Sequence, residues 1–418
     1  MLSTPWLAMA LLAGASATAG GVMLVSGHAS ATRADPAHPQ HGYREAVLSL
    51  DDYIEAATAR TTADPRSWLV PEGLAQGYRR RAQLTGDYID YTRARESLEL
   101  SFATAPPGAG PFLARAQLNA TMHCWDRIEP DLVKVEHSWP KSFERAAVQT
   151  LRGERAFQSG LYDESLKDYH QALDLEHGPI RYFSLAAAEN ALGDHAGADA
   201  LLDQAERLQP RRDFFTAAWL QLERGIILQD RGELDLAHER FLKAESIMPG
   251  WWRVEGREAD VLVLRGEVAD ALPLYQDLVK KTSNPEFMDD LARWSKDASE
   301  RERYRAMARA VYDSEITEYP EAACAHALDH FLDLEHEPEL TVKLALMNYH
   351  LRPGGEASTK LARAYLHAGR NQEARELITK VLADRWDMSL LHRTAQEIFT
   401  ACHAPELAAA QGRLLSAH

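Results

Sequence analysis

Cysteine is scarce in this sequence, and the cysteines present are isolated. The 418 residues include three, Cys124, Cys324 and Cys402, which lie far apart along the chain. Structural zinc sites and disulfide frameworks need cysteines at short or recurring spacings. The sequence therefore predicts neither kind of site.

Basic residues are outnumbered by acidic ones. The chain has 46 Lys and Arg residues against 62 Asp and Glu residues, a formal net charge of -16. Such a surface repels phosphate backbones and anionic lipid headgroups, so we expect no nucleic-acid partner. The strongest basic run, Tyr78 to Arg81, contains three successive arginines that would spread around a helix, which favours a solvated face over a binding patch.

Catalytic signatures are absent as well. The sequence contains no Gly-x-Ser-x-Gly elbow, no phosphate-cradling glycine-rich loop and no Cys-His signature. The balance of 45% hydrophobic and 26% charged residues is ordinary for a folded chain. The sequence therefore predicts a folded, non-enzymatic protein without a cofactor.

What the sequence does contain is a repeat. In five places a glycine ends an amphipathic stretch and a small residue follows five positions later. Two amphipathic helices cannot bury their apolar faces alone, and stacking on the next pair completes the burial. The glycine and small-residue pairs are Gly160 with Ser165, Gly193 with Ala198, Gly232 with Ala237, Gly266 with Ala271, and Gly369 with Ala374.

A unit of about 34 residues places these glycines in one frame. The gap between the fourth and fifth units is close to three units long, which predicts two further repeats that lack the glycine. Extending the frame in both directions adds weaker units at either end. The predicted starts are Gly73, Phe112, Ala146, Pro179, Ala218, Trp252, Phe287, Ala322, Gly355 and Ser389.

Two segments carry a family resemblance. Residues 230–249, DRGELDLAHERFLKAESIMP, and residues 192–210, LGDHAGADALLDQAERLQP, resemble the second-helix pattern of tetratricopeptide repeats, of a bacterial type. The resemblance implies an all-α, right-handed superhelical solenoid of about nine or ten antiparallel helix pairs over residues 72–418. The best repeats are 146–281 and 355–387. His403 departs from the pattern because it replaces the glycine of the last unit.

The amino-terminal segment suggests export. Residues 1–27 carry no charged side chain, and Trp6 to Val25 is largely apolar. Residues 1–31 are interpreted either as a cleaved signal peptide or as an uncleaved membrane anchor that tethers the chain through residues 2–26. A flexible spacer over 32–45 and a leading helix and loop over 46–71 would follow. We therefore expect the protein in the cell envelope.

One cluster could bind a metal. His326 and His330 are four residues apart on a predicted helix, and Asp329 or Asp333 could add an oxygen ligand. The zinc-protease pattern needs glutamate directly after the first histidine, where Ala327 stands. We therefore favour an accessible, solvated face without a metal. A metal-binding protein or metal-dependent enzyme centred on His326 and His330 is the alternative function.

The resemblance also implies which residues contact a partner. Family geometry places recurring positions of each first helix along a concave groove that would hold a protein or peptide ligand. Two of these residues, Phe183 and Trp219, could instead belong to the core. The predicted groove residues are Glu154, Phe157, Phe183, Asn190, Trp219, Gln229, Arg253, Asp260, His326, His330, Asp333 and Arg363.

Overall fold

Helices account for nearly all of the described chain. The computed structural model describes residues 42–209 and 213–415, and these ranges contain 21 α-helices, one short 3-10 helix and no β-strand. The predicted all-α class is confirmed for them, and none of their helices has the length and apolar character needed to cross a membrane. The predicted signal or anchor segment, 1–31, lies outside the described residues.

The helices form a leading helix followed by ten pairs. The leading helix α1 spans Tyr43–Ala63 and packs on the first pair. The pairs are α2 Leu69–Thr85 with α3 Ile89–Thr104, α4 Phe112–Thr121 with α5 Glu129–Glu136, α6 Ser142–Gln158 with α7 Tyr162–Leu175, α8 Pro179–Ala191 with α9 His195–Leu208, α10 Phe214–Asp230 with α11 Leu234–Ile247, α12 Trp252–Leu264 with α13 Val268–Thr282, α14 Pro285–Trp294 with α15 Ala298–Glu318, α16 Pro320–Asp333 with α17 Pro338–Leu351, α18 Gly355–His367 with α19 Asn371–Leu382, and α20 Ser389–Ala401 with α21 Pro405–Leu415.

Left-handed backbone at the turns explains the repeated glycine. Gly160, Gly193 and Gly232 have φ of 76°, 85° and 77°, a region that side chains other than glycine enter at a cost. The turn glycines are thus confirmed. His403 occupies the same turn of the last pair with φ of 55°, so the chain makes this turn even where glycine is missing.

Small residues lie where the two helices of a pair touch. Ala198, Ala237, Ala271 and Ala374 are each fully buried. Most of the apolar core is one continuous cluster that passes from pair to pair along the chain. This continuity is expected when each pair buries its apolar face against its neighbours and no central core exists.

The first helices of the pairs lie on the inside of a curve. Successive first helices contact one another, as α6 does α8 and α18 does α20, more closely than successive second helices do within the described ranges. A stack whose first helices approach more closely must bend toward them. We call the side chains that the first helices of these pairs present on this concave side the inner wall.

The curve is tight enough for the chain to meet itself. Contacts join the first half, residues 42–195, to residues 249–390, with partners separated by 168 to 229 residues. We call this line of contacts the seam. The ends of first helices in the first half meet the starts of first helices in the second half. Backbone atoms take part in Tyr43 N to Pro249 O at 3.0 Å, Trp252 Nε1 to Leu84 O at 3.0 Å, Gly354 N to Gln158 O at 2.8 Å, and Asp387 N to Ala191 O at 2.9 Å.

Candidate functional site

The predicted groove residues all lie on first helices, but most of them are buried. The expectation of accessible side chains is wrong for the buried residues, because neighbouring helices cover them. Those buried are Glu154, Phe157, Phe183, Asn190, Trp219, Gln229, Asp260, His326 and His330, and those partly exposed are Arg253, Asp333 and Arg363.

Phe183 and Trp219 belong to the core. Their rings meet edge to face with centroids 4.5 Å apart, and both side chains are buried. Edge-to-face aromatic pairs of this kind stabilise the packing of neighbouring helices. Between the two interpretations left open by the sequence, the structure selects packing of α8 against α10.

Charged side chains link four first helices of the second half. Arg293 on α14 lies 3.1 Å from Asp333 on α16, and Asp333 lies 2.9 Å from Arg363 on α18. Arg363 in turn lies 3.7 Å from Glu397 on α20. We call Arg293, Asp333, Arg363 and Glu397 the ion-pair ladder. It gives the inner wall alternating charge from helix to helix.

A second ionic cluster lies beside the ladder and is more deeply buried. The Lys360 side chain on α18 is 3% exposed, and its Nζ lies 2.9 Å from Asp329 Oδ2 and 3.2 Å from Glu356 Oε1. Burial lowers the pKa of Lys360, but the two carboxylates outweigh it and the pKa is raised overall. Because removal of one member leaves charge buried without compensation, this cluster couples α16 to α18 strongly.

His330 and His326 contact carboxylates on the neighbouring first helix. His330 is fully buried, with Nδ1 2.7 Å from Asp289 Oδ1 and Nε2 3.3 Å from Glu335 Oε1. His326 Nδ1 lies 3.4 Å from Glu286 Oε1. The expected solvated face is therefore wrong. Across residues 42–209 and 213–415, no group of three or more His, Cys, Asp or Glu side chains is placed to hold a metal ion.

Several carboxyl groups of the inner wall are held toward their neutral form. Burial raises the pKa of Glu154 well above its ordinary value. Burial also raises the pKa of Glu223 to about 7, although Arg253 and Arg257 oppose the shift. For Asp290, burial and the nearby Asp260 raise the pKa well above its ordinary range. Burial on the inner wall therefore favours the neutral forms of these three carboxyl groups.

Three cavities of the described structure lie along the seam. Two of them, with volumes of about 60 and 110 Å³, lie near the end of α2. Both are lined by Gly86 and Tyr88 of the first half and by Arg253 and His326 of the second half. A third, of about 40 Å³, lies where the end of α6 meets the starts of α18 and α20. These three cavities are thus gaps between helices of the two halves of the chain.

Sequence reasoning missed three charged members of the wall, Asp289, Arg293 and Lys360. A usable signal was present, because Asp289 and Arg293, like Glu356 and Lys360, are opposite charges four residues apart on a first helix. Such pairs place charge on one face of the helix. The contacts to the next helix required the structure, since nothing in one helix specifies its rotation against a neighbour.

Comparison with known proteins adds little beyond the fold. No protein-family model and no curated protein matches the chain. A human IFIT1 dimer with PPP-AAAA is similar over 82% of this chain and 86% of its own, at 15% identity and a TM-score of 0.40. A tetratricopeptide repeat protein from Parabacteroides merdae ATCC 43184 covers 57% and 92%, at 18% identity and a TM-score of 0.33.

A third solved structure, Naa15/Naa10 bound to HypK-THB, is similar over 89% of this chain and 67% of its own, at 13% identity and a TM-score of 0.27. Likenesses this loose carry no argument about function. The proposals below therefore rest on the contacts and charges of the chain itself.

Proposed function

We propose that this chain is a non-enzymatic scaffold that binds a protein or peptide along its inner wall. The observation that carries the proposal is the ion-pair ladder. It presents charges of alternating sign on four consecutive first helices. A peptide segment with acidic and basic side chains would replace these intramolecular pairs one for one.

Binding at the inner wall requires a way for the partner to reach it. Because most residues of the wall are buried, a partner must enter where the two halves separate. Polar contacts make up part of the seam, including the ion pair of Arg127 with Glu321 at 3.2 Å and that of Arg385 with Asp163. Exposed ion pairs stabilise by about 0–1 kcal/mol each, so separating them costs little.

We also propose the type of superhelix that the pairs form and the location of the protein. The helix pairs, the glycine turns and the closely packed small residues support a right-handed superhelix of tetratricopeptide type, as found in bacterial proteins. The uncharged apolar stretch Trp6 to Val25 supports export to the cell envelope. Cell fractionation with sequencing of the mature amino terminus tests that location, because recovery from the cytosol with residues 1–31 intact would contradict it.

Site-specific photocrosslinking in native cells tests partner binding. A photoreactive residue at Arg363, on the inner wall of α18, is expected to capture a protein. The same residue at Arg375, exposed on α19 of the same helix pair, is the matched control and is expected to capture none. Capture at neither position, or equal capture at both, would contradict binding along the inner wall.

The metal-dependent alternative centred on His326 and His330 gains no support from their contacts, since each histidine lies against a carboxylate of the next first helix. Metal analysis of the purified chain, with a His326→Ala and His330→Ala double variant as the control, tests it separately. Stoichiometric metal that disappears in the double variant would revive this alternative.

A further inference from the structure

The 40 Å³ cavity at the seam has features that the scaffold proposal does not use. It lies where Gln158, at the end of α6, meets the first turns of α18 and α20. Arg352, in the link that precedes α18, forms part of its wall. The lining of this cavity therefore combines Arg352 with the starts of two helices.

Arg352 is a buried cation without an anion. The Arg352 residue is 4% exposed. The Nε group donates to Asn348 Oδ1 at 2.6 Å, and Nη1 lies 3.4 Å from both ring nitrogens of His123. No carboxylate within residues 42–209 and 213–415 lies at ion-pair distance from it. Burial of a charge without a counter-ion is costly, so the site is incomplete as it stands.

The neighbouring histidine does not supply the missing charge. Burial and the adjacent Arg352 lower the pKa of His123 well below its ordinary value. The imidazole of His123 therefore stays neutral at physiological pH and adds no second positive charge. The positive charge of Arg352 is therefore not balanced by a negative side chain of the described residues.

Backbone N–H groups at the starts of two helices belong to residues that line the same cavity. The first N–H groups of α18 are engaged, since Gly354 N donates to Gln158 O and Gly355 N to the Tyr162 hydroxyl. The N–H groups of Glu356, Ala357, Ser389 and Leu390 have no acceptor among the described residues, and all four residues line the cavity. Helix N-termini carry partial positive charge and bind oxyanions through such N–H groups.

We propose that this cavity binds the phosphate group of a small ligand. The starts of two helices and Arg352 together offer several donors in the lining of one cavity, which suits an oxyanion with several oxygens. A volume of about 40 Å³ holds roughly three or four water-sized groups. That is room for a phosphate group, and the remainder of the ligand would extend out through the seam.

Two carboxylates limit the charge of the ligand. Glu356 and Asp230 also line the cavity, and Glu356 pairs with Lys360 at 3.2 Å. Asp230, at the end of α10, adds negative charge beside the cavity and so disfavours a doubly charged group. The site therefore prefers the monoanionic form of a phosphate, which is H2PO4⁻ for inorganic phosphate and the singly protonated form for a phosphate ester, to sulfate, which remains a dianion at neutral pH.

Isothermal titration calorimetry of the full chain with inorganic phosphate tests the proposal, at constant ionic strength and with sulfate and acetate as comparison arms. We expect one phosphate per chain and weaker binding of both other anions. Arg352→Gln should lower phosphate affinity about tenfold or more, because hydrogen bonds to charged groups contribute about 1.5–3 kcal/mol. Arg370→Gln, which alters a partly exposed arginine paired with Glu373, should bind as the wild type does.

A second variant removes one donor without disturbing the fold. Ser389 is the first residue of α20, where proline is favoured, and Met388 before it is extended, with φ of -131° and ψ of 151°. Ser389→Pro should therefore keep its melting temperature and lose about tenfold in phosphate affinity. Wild-type affinity in Ser389→Pro, or no saturable phosphate binding by the native chain, would overturn the proposal. Neither result bears on capture of a protein at the inner wall.

Discussion

Replacing Lys360 with methionine removes the positive charge between α16 and α18 and keeps much of the side-chain volume. At an effective dielectric constant of about 20, each contact of Lys360 corresponds to about 5 kcal/mol of Coulomb attraction, most of which desolvation offsets. The variant leaves Asp329 buried beside Glu356, which is 27% exposed at its side chain. We expect the free energy of unfolding to fall by about 3 kcal/mol, at the lower end of the range for broken buried pairs.

Urea unfolding followed by circular dichroism at 222 nm measures this loss. Lys343→Met, an exposed position on the adjacent α17, is the control and should change stability by less than about 0.5 kcal/mol. The double variant Lys360→Met with Asp329→Leu should recover most of the loss, because an apolar pair replaces the buried charges. If Lys360→Met loses less than about 1 kcal/mol, or if the double variant is no more stable than the single one, the reasoning about this cluster is refuted.

Four further substitutions test other parts of the molecule. Burial raises the pKa of Glu154, so the contribution of this group to stability is fully present below its unfolded pKa and is lost as pH rises. The free energy of unfolding of Glu154→Gln, measured in urea, should therefore equal that of the wild type at pH 4 and exceed it at pH 8. Equal stability at both pH values would refute the assignment. Both His403 and Gly369 have positive φ, a backbone region that favours glycine. In thermal melts, His403→Gly should therefore raise the free energy of unfolding by about 1 kcal/mol, and Gly369→Ala should lower it by a similar amount. Changes of the same sign in the two variants would contradict this explanation. Trp252→Phe removes the hydrogen bond to Leu84 O and should lower the free energy of unfolding by about 1–3 kcal/mol. An unchanged melting temperature would contradict this prediction.

The sequence predicts the helix pairs well because their determinants are local. The turn glycines need left-handed backbone, and the small residue five positions later lies where two helices touch, so spacing alone carries the information. Even the two units without glycine are detected, because α14 and α16 begin at Pro285 and Pro320, two residues from the predicted starts. Chain connectivity forces the frame to continue through them.

The candidate site is predicted less well because it depends on distant residues. His330 is on the predicted wall, but its partner Asp289 is 41 residues earlier and its burial depends on how tightly the stack curves. Curvature is the sum of small rotations between successive pairs, and no motif in one repeat specifies it. For the same reason the seam and the buried Arg352 were not foreseen.

Amide hydrogen exchange at Gly354 and Asp387 tests most directly whether the stack is wound closed along its seam. Both amides lie just before or at the start of a first helix, where an isolated helix pair offers no acceptor. In the closed coil they donate to Gln158 O and Ala191 O at 2.8 and 2.9 Å. The structure predicts slow exchange at both positions, whereas exchange at the rate of an unstructured peptide would contradict a closed seam.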